Sequence, residues 1–122
     1  MIAALVLASV VAATSTHLEV RPWSGKDLPT SSHAAVKYRL IVTGKPNAHL
    51  RLEATALANG WLGAFCTSQV CAPGHVAVDL PPSGRAVYQF ELIREDDSAP
   101  GKSGARIVGD DGSSVDVPVA TR

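Results

Sequence analysis

Between His17 and Val119 the chain repeatedly sets apolar residues at every second position over short stretches, then breaks the pattern with Gly, Pro, Asn or Asp. A period of two puts alternate side chains on opposite faces of an extended backbone, so each stretch specifies a strand with one buried face. Helices need apolar residues three and four apart, and past the first 13 residues no window sustains that spacing. The chain is thereby restricted to an all-β fold of about seven strands.

The segment His17 to Pro22 sets Leu18 and Val20 against Glu19 and Arg21, a short edge strand. Trp23 to Ser32 has no periodicity and is expected to be a loop. Ala34 to Thr43 carries Ala34, Val36, Tyr38, Leu40 and Val42 on one face, with Lys37, Arg39 and Thr43 on the other. After the Gly44-Lys45-Pro46-Asn47 turn, His49 to Thr55 repeats the alternation with Leu50, Leu52 and Ala54 inward. Asn59-Gly60 suits a type I′ hairpin leading into the apolar run Trp61 to Cys66. Cys71-Ala72-Pro73-Gly74 is expected to turn, followed by a strand from His75 to Leu80 and a second turn at Pro81-Pro82-Ser83-Gly84. Arg85 to Ile93 places Ala86, Tyr88, Phe90 and Leu92 inward and Arg85, Gln89 and Glu91 towards water. Arg94 to Gly104 is expected to be the longest loop of the mature chain, and a terminal hairpin turns at Gly109-Asp110-Asp111-Gly112. Pro118 assigns the last strand to a sheet edge, since proline cannot donate a ladder hydrogen bond.

The first 13 residues stand apart. Ile2 to Ala13 is almost wholly Ala, Val, Leu and Ile and ends on Val11-Ala12-Ala13, the small residues a signal peptidase requires. The stretch is shorter than the roughly 20 residues of a spanning helix. Residues 1–13 are therefore assigned as a cleaved signal, and residues 14–122 as one exported domain with no transmembrane span; a buried first strand is the alternative. Eleven basic residues balance eleven acidic ones without a basic stripe, which argues against nucleic acid as a partner. With 46% apolar and 18% charged residues, the composition is that of a folded chain.

Three features in order carry a resemblance: Gly60-Trp61, the Leu80-Pro81-Pro82-Ser83-Gly84 turn before the Tyr88 strand, and Ala99-Pro100-Gly101 before the strand at Ile107. On these the stretch from Gly60 to Val119 resembles the immunoglobulin-like and fibronectin-III-like accessory modules of bacterial secreted enzymes and surface proteins. The resemblance implies a two-sheet immunoglobulin-like β-sandwich that serves as a spacer or a contact, and it brings no catalytic residues to transfer.

Cys66 and Cys71 form an even pair with four residues between them, which in an exported chain argues for a disulfide across the Thr67-Ser68-Gln69-Val70 bend. A zinc site of Cys66, Cys71, His75 and a second histidine would lack its second paired-ligand motif, so no metal or other cofactor is expected. His17, His33, His49 and His75 are scattered singly, and the sole methionine is Met1, which removes thioether ligation of copper. Asp96, Asp97, Asp110 and Asp111 could pair as acid and base or hold Ca²⁺, but all fall in turns, where Asp serves local hydrogen bonding. No nucleophile motif or phosphate-cradling glycine loop accompanies them.

Trp23 and Trp61 are the aromatic platforms on which a small sandwich could stack a sugar ring, with Trp61 expected in the core and Trp23 at either place. Arg21-Pro22-Trp23 also resembles a tripeptide of immunoglobulin-like inhibitors of cysteine proteases, but at the wrong end of the chain and without the companion loops. The expected function is a non-catalytic exported module that binds a protein or cell-envelope component through loops or an unpaired edge, at Pro118 or near Val20. The alternative is a carbohydrate-binding module using Trp23 or Trp61, with a secreted inhibitor or an enzyme behind it.

Overall fold

Nine strands form from the alternating segments in a computed structural model that describes residues 16–122; the predicted signal, residues 1–13, lies outside the described residues. They are β1 (His17–Pro22), β2 (Ala35–Thr43), β3 (His49–Ala56), β4 (Trp61–Cys66), β5 (Cys71–Pro73), β6 (His75–Asp79), β7 (Arg85–Arg94), β8 (Lys102–Gly109) and β9 (Ser114–Thr121). No helix occurs among the described residues.

Two antiparallel sheets result. The first has the order β1-β2-β7-β4-β5 and the second β6-β3-β8-β9. Their inner faces meet in one apolar cluster to which both sheets contribute, including Leu40, Val42, Phe65, Phe90 and Leu92 from the first and Leu50, Leu52, Val78, Ile107 and Val117 from the second. Phe90 sits at its centre, 5.2 Å from the Phe65 ring in an edge-on arrangement and 6.5 Å from Tyr38. The Tyr38 hydroxyl, its pKa pushed up by burial, crosses the sandwich to donate to the Pro118 carbonyl at 2.8 Å.

Several expectations change. The Asn59-Gly60 segment is not a hairpin, because β3 and β4 belong to different sheets and the chain arches from one to the other. Gly60 alone takes the left-handed conformation there, with φ 84°, whereas a type I′ turn needs positive φ at both central residues. Cys71 to Pro73 is a strand and not a turn, since Cys66 and Cys71 stand directly opposite each other with sulfurs bonded at 2.06 Å. The 94–104 loop is shorter than expected, because β8 already pairs at Lys102 with Thr121.

The largest correction concerns β7. Gln89 and Glu91, expected to face water, are 1% and 0% exposed. They do point away from the sandwich core, but the connection from Trp23 to Ala34 lies across that outer face and covers them. The loop supplies backbone N–H partners to the polar groups beneath it.

Candidate functional site

The strap between β1 and β2 is fastened through its own backbone. The Ser32 N–H donates to Glu91 Oε1 at 3.0 Å and the Leu28 N–H to Gln89 Oε1 at 3.3 Å, while the Gln89 amide donates to Glu91 Oε2 at 2.8 Å. The Thr30 hydroxyl donates to the Thr67 carbonyl at 3.0 Å, joining the strap to the β4–β5 hairpin. A buried polar group without a partner costs about 1–3 kcal/mol, so this mutual satisfaction is what allows a carboxyl and an amide to lie beneath the loop. Cys66 Sγ lies 3.3 Å from Glu91 Oε2, and Cys66, Cys71 and Glu91 form the one grouping of metal-ligating side chains among the described residues. Its sulfurs are bonded to each other, its carboxyl accepts two hydrogen bonds, and His75 does not join it.

Trp61 lies in the core at 6% exposure, its indole N–H donating to the Pro100 carbonyl at 2.7 Å. Trp23 is half-buried at the head of the strap. The Arg39 guanidinium sits 6.0 Å from its ring centroid, and its N–H donates to the Lys26 carbonyl at 3.2 Å. Beside it a shallow polar depression is lined by Asp27, Lys37 and Arg122, where Lys37 and Asp27 pair at 3.0 Å. The structure thus keeps the two tryptophans apart, with one inside and the other engaged on one face by a cation.

The aspartates serve the turns in which they stand. Asp96 accepts from the Ser98 N–H and hydroxyl, both at 2.9 Å, and these bonds lower its pKa. Asp110 accepts the Arg51 N–H at 3.1 Å. Asp111 accepts the Ser113 N–H and hydroxyl and, through its other oxygen, the Thr16 N–H at 3.0 Å, which ties the start of β1 to the β8–β9 turn. Asp96 and Asp111 lie beyond opposite ends of β8, a strand length of about 25 Å, and share no cleft. Of the histidines, His49 pairs with Asp79 at 2.6 Å on the exposed face of β3 and β6, and His75 stands on the same face opposite Glu53.

Desolvation opposes ionisation of Asp111, but the hydrogen bonds it accepts from Ser113 and Thr16 outweigh it and hold the carboxyl well below the ordinary range. A group depressed in this way contributes stability above its unfolded pKa and loses it as pH falls towards the folded one. We expect unfolding free energy to decline as pH drops below about 4. In Asp111→Asn the neutral-pH stability should be lower by roughly 1 kcal/mol, a figure already reduced for solvent screening, and this part of the acid decline should vanish. Urea titrations from neutral to acid pH check it; parallel pH profiles for the two proteins would reject the assignment.

The outer face of the second sheet presents a different chemistry. Leu57 is 72% exposed, Val119 65% and Val108 39%; all three line one shallow depression on the face of β3, β8 and β9 that turns from the core, and Leu57 and Val119 flank Gly104 within it. Strict alternation would put Val115, Val117 and Val119 on one face. Between the Ser103–Ala120 and Ala105–Val117 pairs, however, Pro118 and Val119 together oppose Gly104, and this bulge turns Val119 outward. Gly104 has no side chain to fill the space between Leu57 and Val119, so a shallow apolar dip remains. Arg106 and Asp116 form an exposed ion pair at 2.9 Å beside it. Sequence patterning missed this patch because Leu57 falls just past β3 and the bulge that sets Gly104 opposite Pro118 is invisible to a period-two count.

No protein-family model matches the chain, and no curated protein matches it closely enough to count as a relative.

Proposed function

We propose that the chain is a non-catalytic exported module of immunoglobulin-like type that binds a protein or cell-envelope component through the outer face of its β3-β8-β9 sheet. The apolar dip framed by Leu57, Val108 and Val119 carries the proposal. An exposed apolar centre with charged residues at its rim is the pattern of a protein contact.

The sheet orders support the immunoglobulin-like part. β1-β2-β7-β4 corresponds to the A-B-E-D sheet of a constant-type domain and β3-β8-β9 to its C-F-G sheet, with β5 and β6 inserted between the fourth and fifth strands. The chain departs from antibody domains in that its disulfide joins neighbouring strands and its core tryptophan stands on β4. Export is supported by the disulfide, which persists in oxidising compartments. The bond from the Thr16 N–H to Asp111 does not involve residues 1–13 and is compatible with their removal. Carbohydrate binding has less support, since Trp61 is buried and the Trp23 N–H is already bonded.

The test uses the exported product, whose mass should lack residues 1–13. It is titrated against envelope fractions of the producing cell beside the double variant Leu57→Lys/Val119→Lys. Loss of two apolar contacts and two added charges should weaken binding at least tenfold with an unchanged melting temperature. Equal binding by both proteins, or none by the parent, would reject the outer face as the contact.

A further inference from the structure

Each sheet of an open sandwich has two edges, and an unpaired edge offers N–H and C=O groups to another strand unless something blocks it. Here β9 carries Pro118 and a bulge, and β1 packs beside β9 and ends at Pro22. The β5 edge is three residues long and ends at Pro73. By contrast β6, His75-Val76-Ala77-Val78-Asp79, contains no proline, glycine, lysine or bulge.

The hydrogen-bond phase of β6 follows from its flanks. The Ala54 N–H donates to the Gly74 carbonyl and the Leu80 N–H to the Ala48 carbonyl, both at 2.8 Å. Bonded pairs alternate in an antiparallel ladder, so within the register of β3 and β6 the Leu52–Val76 and Leu50–Val78 pairs carry the bonds. The N–H and C=O groups of His75, Ala77 and Asp79 therefore point to the free edge. Their side chains are exposed, and a shallow groove lined by Arg51, Ala72, His75, Val76 and Ala77 runs along that flank.

We propose that this edge pairs with the β6 edge of a second copy of the chain, antiparallel across a two-fold axis at Ala77. Self-complementarity selects the partner. In the register that uses every free group, Ala77 meets Ala77 of the partner subunit, and the small side chain leaves the axis uncrowded. His75 stands directly across from Asp79 of the partner subunit, and Asp79 from His75 of the partner subunit. An imidazole N–H donates to a carboxylate whether the ring is neutral or charged. On the inner side half-buried Val76 gains Val78 of the partner subunit as an apolar neighbour. The two four-stranded sheets become one continuous sheet, an isologous contact that closes on itself.

Light scattering of the purified protein should show its mass rising towards twice the monomer's as concentration is raised from about 10 µM to about 1 mM. The amide protons of His75, Ala77 and Asp79 should exchange more slowly over the same range, while others do not. In Ala77→Pro the lost N–H is one that β3 does not use, so the fold is retained and association abolished. His75→Asp, at an exposed position, sets like charges across the axis and should weaken association about tenfold. A protein that stays monomeric throughout, or a dimer that survives both substitutions, overturns the proposal.

Discussion

Replacing Glu91 with alanine should lower the unfolding free energy by about 3–4 kcal/mol, an effect as large as a core truncation although the residue faces away from the core. The substitution leaves the Ser32 N–H and the Gln89 amide without the acceptors they now have at 3.0 and 2.8 Å, in a site with no exposure to water. Each orphaned donor costs about 1–3 kcal/mol, less whatever the loop recovers by moving away. That movement gives the substitution its signature. The amides of Leu28 and Ser32 should lose hydrogen-exchange protection well before those of β2 and β7, because the strap has been unfastened while the sandwich persists. Glu91→Gln keeps the shape and one acceptor but sets its amide against that of Gln89, and a smaller loss of about 1–2 kcal/mol is expected. Urea unfolding of the three proteins measures the series. A loss below 1 kcal/mol in the alanine variant would mean that water replaces the carboxyl and that the strap is not held from below.

The strap also marks where sequence patterning stopped. Alternation identified both faces of β7 correctly as inward and outward: Phe90 and Leu92 are in the core, and Gln89 and Glu91 are not. What period two cannot report is whether an outward face meets water or another segment. That depends on where an aperiodic loop comes to rest, which is set by a few long-range bonds such as Ser32 to Glu91. The same reasoning covers the arch at Asn59-Gly60. Local turn chemistry marked a reversal there, but whether a reversal joins partners within a sheet or crosses between sheets is decided by the rest of the core. Strands with strong two-sided contrast, β2 and β3 above all, were legible to within a residue or two.

The candidate site was less legible for a related reason. Sequence reasoning looked for residue types that carry chemistry, and placed weight on tryptophans, histidines, aspartates and the edges at Pro118 and Val20. The structure draws Trp61 into the core, puts Arg39 over Trp23 and gives Asp96 and Asp111 to their own turns. The surfaces that remain unsatisfied are an apolar dip made by a bulge and a strand edge unguarded by proline. Both are properties of the arrangement, and no single residue announces them.

Phe90→Ala provides the counterpart to Glu91→Ala one residue earlier on the same strand, and should cost about 3–5 kcal/mol through lost burial and an unfilled cavity. Phe90 has no exposure and packs edge-on against Phe65. Its ring also covers Gly63, where a Cβ would come within 2.8 Å of Phe90 Cζ and 3.1 Å of the Ala54 Cβ. The glycine is thus there to admit the ring, and Gly63→Ala alone should cost about 1–3 kcal/mol by overpacking. With the ring absent, the added methyl occupies part of the space left behind. The double variant should therefore be more stable than the sum of the two losses implies, by at least about 1 kcal/mol. Unlike Glu91→Ala, Phe90→Ala should raise exchange across both sheets together, since both sheets meet at this ring. Denaturation of the four proteins of the cycle decides the matter: strict additivity would show that Gly63 answers to some neighbour other than Phe90.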